Sequence, residues 1–345
     1  MRIAVIGAGA VGCVVGGCLA VGGQRVVLVG REGAEPPAAG TLDLRGPGAV
    51  RRIIPIERSG GTSGVPPDLD VAILAVKRFD LDAATDLLRA APGVPVVTLQ
   101  NGIGAEAQVA QRRPGAGLVA ASLTAAAALG PEGEARWLNR GGIGLAAAVG
   151  DVAALLSDLA DAFRAGGMRA AIYPDPAAMK WSKLLGNLVG NATSALLDLD
   201  VAAIYAHPDL YEIERRQALE ALAVMNALGL HPVALPGADV AWLIRAFRLP
   251  AALGRPILSR VLGSARGGKS PSLRLALRAG ATRTEVTWLN GAVAEAAEQA
   301  GIDAPVNATL CRLVEEATAD PERRAWFRGR PDRLVSVLAG SLAVA

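Results

Sequence analysis

The chain has 345 residues, 52% of them hydrophobic and 3% aromatic, with three cysteines and a formal net charge of +3. That length holds two domains more comfortably than one, and so small a charge, with no nucleic-acid-binding motif beside it, excludes nucleic acid as the partner. Cys13, Cys18 and Cys311 are too few and too badly spaced for a disulfide framework or a zinc site, which fits a reducing cytoplasm.

Residues 3–24 carry no charge. Alone they pass for a signal peptide or a membrane span, but seven of them are Gly, the first three placed where a tight turn needs them, and no cleavage site stands out. No other stretch is apolar enough to cross a bilayer, so no membrane partner is expected. Arg2 to Ile6 reads instead as a short buried strand, Gly7-Ala-Gly9-Ala10-Val11-Gly12 as a turn, and the run to about Gly22 as a helix. Strand, G-x-G-x-x-G turn and helix in that order form the dinucleotide fingerprint. Gly7 makes the turn, Gly9 lets a pyrophosphate approach the helix N-terminus at Ala10 and Val11, and Gly12 lets the helix lie close on the strand.

The second strand, Arg25 to Val29, ends at Gly30-Arg31. An acid there would select NAD through the ribose 2′-OH, whereas Arg31 suits a 2′-phosphate, so NADPH is the cofactor expected. A surface Arg at a strand end is the plainer alternative. Residues 33–67 are rich in Gly, Pro and Arg and read as a loop-bearing edge with one strand at Val50 to Ile56. Asp70 to Val76 and Val94 to Leu99 are nearly continuous apolar strands of the kind a parallel sheet buries. The first ends in Lys77, placed to meet cofactor phosphate or ribose, or else a surface Lys just past a strand. The second ends in Gln100-Asn101-Gly102-Ile-Gly104, where the Asn101 amide reaches nicotinamide or substrate, or merely forms a turn. Strands at Gly117 to Ala125, Ala135 to Leu138 and Gly142 to Ala148 follow, with Ser122 and Thr124 as polar groups for a crevice. A helix from Asp151 to Gly166 and a strand from Met168 to Tyr173 complete an α/β, Rossmann-type doubly wound sheet over residues 1–173. Beyond Pro174-Asp-Pro176 the pattern is helical almost to the end, giving an all-helical second domain over residues 174–345.

Met179 to Asn191 is the most informative stretch of that second domain. As one helix it places Lys183, Asn187 and Asn191 on a polar stripe drifting about 40° per step, among Trp181, Leu184, Leu185, Leu188 and Val189. A cation and two amides are costly to bury unless something polar lies against them, and Asn gains nothing from an exposed mid-helix position. A substrate is the candidate neighbour; a solvated face is the alternative. The two histidines, His207 and His231, each precede a Pro and read as cap or turn residues, which argues against histidine acid–base catalysis.

Between Asp239 and Glu285 no acid intervenes, while nine cations do. Such a run is a solvated face, or in part a rim that draws in an anionic substrate, with Lys269 and Arg274 the candidates. The stretch from Arg283 to Gly291 opens a helix expected to run to about Ala300, and Glu285 lies near its N-terminus, where a carboxylate is favoured by the dipole whatever else it does. Asp303 to Glu316 and Pro331 to Leu342 are further helices that offer a contact for a homodimer.

Taken together, the Gly7 to Gly12 loop, Arg31, Lys77, Gln100-Asn101-Gly102, Trp181-Ser-Lys183-Leu with Asn187 and Asn191, and Thr284-Glu285 with Asn290-Gly291 resemble the ketopantoate reductase (2-dehydropantoate 2-reductase) family. The resemblance covers nearly the whole chain in the right order, and the Lys-x-x-x-Asn and Thr-Glu-x-x-x-x-Asn-Gly patterns are far more specific than the glycine loop. It implies NADPH-dependent reduction of a small anionic 2-keto acid, 2-dehydropantoate to pantoate in pantothenate biosynthesis or a related branched acid. It also implies Lys183 as general acid, Glu285 in the catalytic site, and Asn187, Asn191 and Ser272 as substrate contacts. Thr287 stands where the family commonly has an Asp, Ala276 follows Ser272 where an Asp is often found, and residues 239–269 are longer than in compact members. These departures bear on which keto acid is bound. Two other readings are an NADPH-binding regulator without turnover, which would not need Lys183, Asn187, Asn191 and Glu285, and a membrane-surface or polyanion-binding protein using residues 245–283.

Overall fold

The computed structural model describes residues 1–30, 40–47, 50–60, 65–265 and 270–343, so Arg31 and Lys269 lie outside the described residues. The chain forms two compact units, the first made of Met1–Gln100, Gly104–Lys180 and Leu235–Ala238, the second of Asn101–Ile103, Trp181–Ala234 and Asp239–Ala345.

Twelve strands are described in the first unit: β1 (Arg2–Ile6), β2 (Arg25–Val29), β3 (Thr41–Gly46), β4 (Val50–Pro55), β5 (Glu57–Ser59), β6 (Val71–Leu74), β7 (Val96–Thr98), β8 (Leu118–Leu123), β9 (Ala127–Leu129), β10 (Ala135–Trp137), β11 (Gly142–Val149) and β12 (Arg169–Tyr173). Eight of them form one sheet in the order β12-β11-β8-β7-β6-β1-β2-β5. Every neighbouring pair is parallel except β8 and β11, so β11 and β12 run against the other six. The helices of this unit are α1 (Ala10–Val21), α2 (Leu81–Asp86), α3 (Ala105–Arg112) and α4 (Ala153–Ala165). The apolar runs read as buried strands because both faces are covered. Ile3, Val5, Val71 and Ile73 enter the core shared with α1 and α4, while Ala4, Ile6, Ala72 and Leu74 enter the one shared with α2 and α3. Since β1 lies between β2 and β6, the chain reverses its direction of winding there, and the C-terminal ends of β1 and β6 flank the crevice where such sheets bind ligands.

The remaining strands form a second sheet, β4-β3-β10-β9. Its Leu42, Leu44 and Ile54 belong to the same core as α1. A Cβ on Gly16 would meet Leu28 and Val26 of the large sheet, and one on Gly17 would meet Leu42 and Leu44 of the small one. Helix α1 is therefore covered on opposite sides, which is why it is apolar all round. That accounts for the uncharged run of residues 3–24, and among the described residues no helix is long and apolar enough to cross a membrane. Residues 33–67, expected to hold one strand, hold three among their described residues. The additional ones, Thr-Leu-Asp-Leu-Arg-Gly and Glu-Arg-Ser, are short and partly charged, and a pattern built on long apolar runs passes over them.

From Pro176 onward every named element is helical: α5 (Pro176–Leu188), α6 (Asn191–Leu197), α7 (Val201–Ala206), α8 (Pro208–Ala227), α9 (Val240–Arg248), α10 (Ala251–Ala265), α11 (Ser272–Arg278), α12 (Asn290–Ala300), α13 (Pro305–Ala319), α14 (Pro321–Phe327) and α15 (Pro331–Ala343). Helix α8 is the long one, and α7, α9, α12, α13 and α15 all pack against it. His207 caps it through Nδ1, which accepts from Leu210 N, as its place before Pro208 suggested. The stretch Leu235–Ala238 belongs to the first unit, where the Thr124 hydroxyl donates to Pro236 O and also reaches Gly142 O. Thr124 is thus a structural tie.

Candidate active site

In the first unit the glycine loop has the geometry its spacing predicts. Gly7 sits at φ 109°, and a Cβ there would lie 2.8 Å from the Ala75 carbonyl carbon. A Cβ on Gly12 would lie 1.9 Å from Gly7 O. Nothing lies within 4 Å of where a Cβ on Gly9 would be, so the loop is open on that side alone of the three. Gly9 caps α1 with no side chain, and the N–H groups of Ala10, Val11 and Gly12 have no acceptor within the helix. An anion on the Gly9 side would meet those donors and the positive end of the helix dipole, so the cradle fits a dinucleotide pyrophosphate. Lys77 is exposed just beyond β6 at the start of a single 3₁₀ turn, Arg78–Asp80.

In the second unit α5 carries Lys183 and Asn187 one turn apart, both half-buried, while Trp181, Leu184, Leu185 and Leu188 pack into the core. Asn187 Nδ2 donates to Asn101 Oδ1 at 3.1 Å. Asn101 belongs to the segment Asn101–Ile103, which is strapped to the turn that follows Glu285: Ile103 N donates to Trp288 O at 3.2 Å. Gly102, at φ 82°, comes so close that a Cβ would stand 2.1 Å from Trp288 O. The strap thus joins the α5 amide to the Glu285 turn. Glu285 itself is buried, and it precedes a 3₁₀ turn, Val286–Trp288; α12 begins only at Asn290. The helix expected to open with the stretch from Arg283 is therefore corrected to a start at Asn290. The Leu289 backbone, at φ −107° and ψ −93°, interrupts the helix before Asn290.

The continuous polar stripe also needs correction. Helix α5 ends at Leu188, Gly190 turns left-handed at φ 60°, and Asn191 opens α6. The cause is Glu214, buried on α8, whose carboxylate accepts from Gly190 N at 2.6 Å, Thr193 Oγ1 at 2.6 Å and Tyr205 OH at 2.8 Å. A buried carboxylate needs such donors, and an unbroken helix would not free the Gly190 N–H. Asn191 consequently leaves the stripe, and its Oδ1 accepts from Leu273 N at 3.1 Å. Ser272, one residue earlier, is exposed at the start of α11. Asn290 serves the interior: its Nδ2 donates to Gln217 Oε1 and Asn307 Oδ1, each at 3.0 Å.

Of the basic run, Arg274 is not a free rim cation. It is buried against Asp198, with Nε 3.0 Å from Oδ1, because its cost of burial is met by that carboxylate. Arg278 shares the same acid, and Arg255 donates to Ala206 O.

The N-terminal part of the chain, residues 3–150, matches the family model described as ketopantoate reductase PanE/ApbA, and residues 175–318 match its C-terminal counterpart. A 2-dehydropantoate 2-reductase of Halobacterium salinarum is 30% identical over 93% of this chain and 100% of its own length. The chain belongs to the ketopantoate reductase family. Among solved structures, a PanE/ApbA family ketopantoate reductase from Ralstonia eutropha superposes with a TM-score of 0.73 at 25% identity, covering 93% of this chain and 100% of that one. A D-mandelate dehydrogenase determined with NADH and anilino(oxo)acetate gives 0.76 at 20% identity over 93% and 99%, a likeness of fold.

In this ketopantoate reductase family member one charged residue escaped the sequence patterns. Lys180, in the first unit's part of α5, is buried; its Nζ donates to Gln100 O at 2.7 Å and lies 3.1 Å from Glu106 Oε1. Thr98 Oγ1 donates to the same carboxylate at 2.6 Å. Burial pushes the Glu106 carboxyl up, and the Lys180 ammonium and Thr98 hydroxyl more than reverse it, holding it below the usual carboxylate range. The Gln100 amide is equally structural, donating to Leu74 O and Val76 O. Lys180 thus clamps the backbone immediately before Asn101. Its only sequence signal was a second cation three residues before Lys183 on the same helix.

Proposed function

We propose that this chain reduces a 2-keto acid to the 2-hydroxy acid with NADPH, and that 2-dehydropantoate is the substrate its site suits. The observation that carries the reading is the Asn187–Asn101 hydrogen bond one helical turn from Lys183, joined through the strap to the Glu285 turn. The loop of Gly7, Gly9, Ala10, Val11 and Gly12 would hold the pyrophosphate, with Lys77 and Asn101 as further contacts and Arg31 reading the 2′-phosphate. When bound, the nicotinamide supplies a hydride to the substrate's carbonyl carbon. Negative charge then gathers on the carbonyl oxygen, and Lys183 Nζ donates a hydrogen bond to that oxygen and finally a proton. Asn187, its amide oriented by Asn101, holds the keto acid, with Ser272 as an outer contact. Glu285 is a buried carboxylate and repels the acid end of a substrate; it accepts instead from a hydroxyl. A branched keto acid that carries a hydroxyl, as 2-dehydropantoate does, therefore fits better than one that does not.

NADPH oxidation measured against 2-dehydropantoate and a panel of branched 2-keto acids tests the reading. Lys183→Ala is expected to lower kcat by about a hundredfold or more, the usual scale for a lost general acid, with NADPH affinity nearly unchanged. Retained turnover would place the acid elsewhere and end this mechanism.

A further inference from the structure

Away from these residues, the second unit contains a cavity of about 360 Å³ lined by Arg274, Arg278, Arg324 and Arg328 and by one acid, Asp198. It lies at the C-terminal end of α6, a helix length or about 10 Å from Asn191 at the other end. Asp198 is the one non-glycine residue at positive φ among the described residues, at 55°, which turns its carboxylate back among the guanidinium groups. Oδ1 accepts from Arg274 Nε at 3.0 Å and Arg278 Nε at 2.5 Å, Oδ2 lies 3.1 Å from Arg328 Nη2, and the Asp198 backbone oxygen accepts from Arg274 Nη2 at 2.7 Å. Arg324 donates to Leu277 O at 2.9 Å and, among the described residues, pairs with no carboxylate.

The cavity thus sets four guanidinium groups against one carboxylate, which touches three of them. Each guanidinium has five donors in a planar fork, and the two oxygens of Asp198 cannot serve them all. The side chains of Arg278 and Arg328 are 49% and 72% exposed, so the cavity opens to solvent on its most basic side. A structure that needed only an ion pair there would be complete with Arg274 and Asp198. The remaining cations repel one another and form a receptor for an anion with more charge and more acceptors than a carboxylate has.

We propose that this cavity binds a phosphate group, either free phosphate or the phosphoryl end of a small metabolite. A phosphate dianion brings three or more acceptor oxygens to forks that match it, whereas a monocarboxylate offers no more than Asp198 already does. The volume suits a monoester and leaves no room for a nucleic-acid strand.

Isothermal titration of the intact protein with inorganic phosphate, at ionic strength held constant with chloride, tests the site. Saturable binding is expected, weakened about tenfold or more in Arg278→Ala/Arg328→Ala and unchanged in Arg245→Ala/Arg248→Ala, where two exposed cations of α9 are removed. Asp198→Asn, which keeps the shape and tolerates the left-handed backbone, is expected to tighten binding severalfold by removing the competing anion. A purely structural cluster would give no such gain. No binding beyond chloride, equal loss in the two double variants, or weaker binding in Asp198→Asn overturns the proposal. Acetate binding as tightly as phosphate overturns it too. Glycerol 3-phosphate binding more tightly than inorganic phosphate would identify a phosphorylated metabolite as the ligand, and the reverse order free phosphate.

Discussion

Lys180→Met removes a buried ammonium while keeping the length of the side chain. Glu106, 17% exposed, would then keep its Thr98 hydrogen bond but lose its counter-ion, and Gln100 O would lose its donor. Breaking a buried pair from one side costs about 3–5 kcal/mol, and the surviving Thr98 bond places the expectation near about 3 kcal/mol. For a unit of this size that is a fall in Tm of about 6–12 °C. The pH dependence makes the test sharper. In the native protein the Glu106 carboxyl is held below its ordinary value, so its stabilisation is fully present above about pH 4.3 and is lost as the pH falls through the lower, folded-state pKa. In the variant burial, the largest of the effects on this carboxyl, is opposed only by the Thr98 hydroxyl and a backbone N–H, so the folded-state pKa is expected to move above the ordinary value and stability to be lost as the pH rises through that range. Thermal melts from pH 4 to pH 8 should therefore show the gap between the two proteins widening with pH. Lys180→Met/Glu106→Gln should recover most of the loss, since it leaves no buried charge. A gap independent of pH, or a double variant no more stable than the single one, would refute the reasoning.

Gly102→Ala places a methyl where Trp288 O stands and forces an L-residue to φ 82°, the backbone alone costing about 1–2 kcal/mol. With Asn101 pulled from Asn187, steady-state kinetics should show kcat/KM for the keto acid falling by more than the KM for NADPH rises, Asn101 being a contact of both; an unchanged kcat/KM for the keto acid would detach the strap from substrate binding. Gly9→Ala and Gly12→Ala separate binding from folding: the first meets empty space and should lose cofactor affinity with little change in Tm, while the second meets Gly7 O and should lose Tm as well. Fluorescence titration and thermal melts decide it, and a Gly9→Ala protein with undiminished affinity would contradict the cradle. Arg31→Ala should weaken NADPH much more than NADH, and equal losses in direct binding assays would show that Arg31 does not read the 2′-phosphate.

The sequence patterns made the large sheet legible because β1, β2, β6 and β8 bury both faces and are nearly continuous apolar runs, broken only by Arg2 and Arg25 at two strand starts and by Ser122. The glycine loop was legible for another reason: Gly7 and Gly12 are each the only residue their backbone and neighbours permit. Where one residue answers to a partner far away in sequence, the pattern failed. The helical period runs smoothly through Val189-Gly190-Asn191, and only Glu214, 24 residues on from Gly190, supplies the reason for a break. Arg274 looked like its neighbours in an acid-free run until Asp198, 76 residues earlier, was found beside it. The helix after Glu285 starts later than the pattern suggested, because a 3₁₀ turn, Val286–Trp288, comes first and α12 begins only at Asn290.

Neither unit is a single stretch of chain. The first is completed by Leu235–Ala238, tied through Pro236 to Thr124, and the second by Asn101–Ile103, tied through Ile103 to Trp288. During synthesis the sheet would therefore wait for its last contacts until α8 had left the ribosome, and β1 would wait for β6, paired at Ile3 and Val71, before either face closed. A fragment cut between residues 180 and 181 would leave each half short of a piece made by the other. Separately expressed halves are thus expected to stay soluble and folded only when produced together.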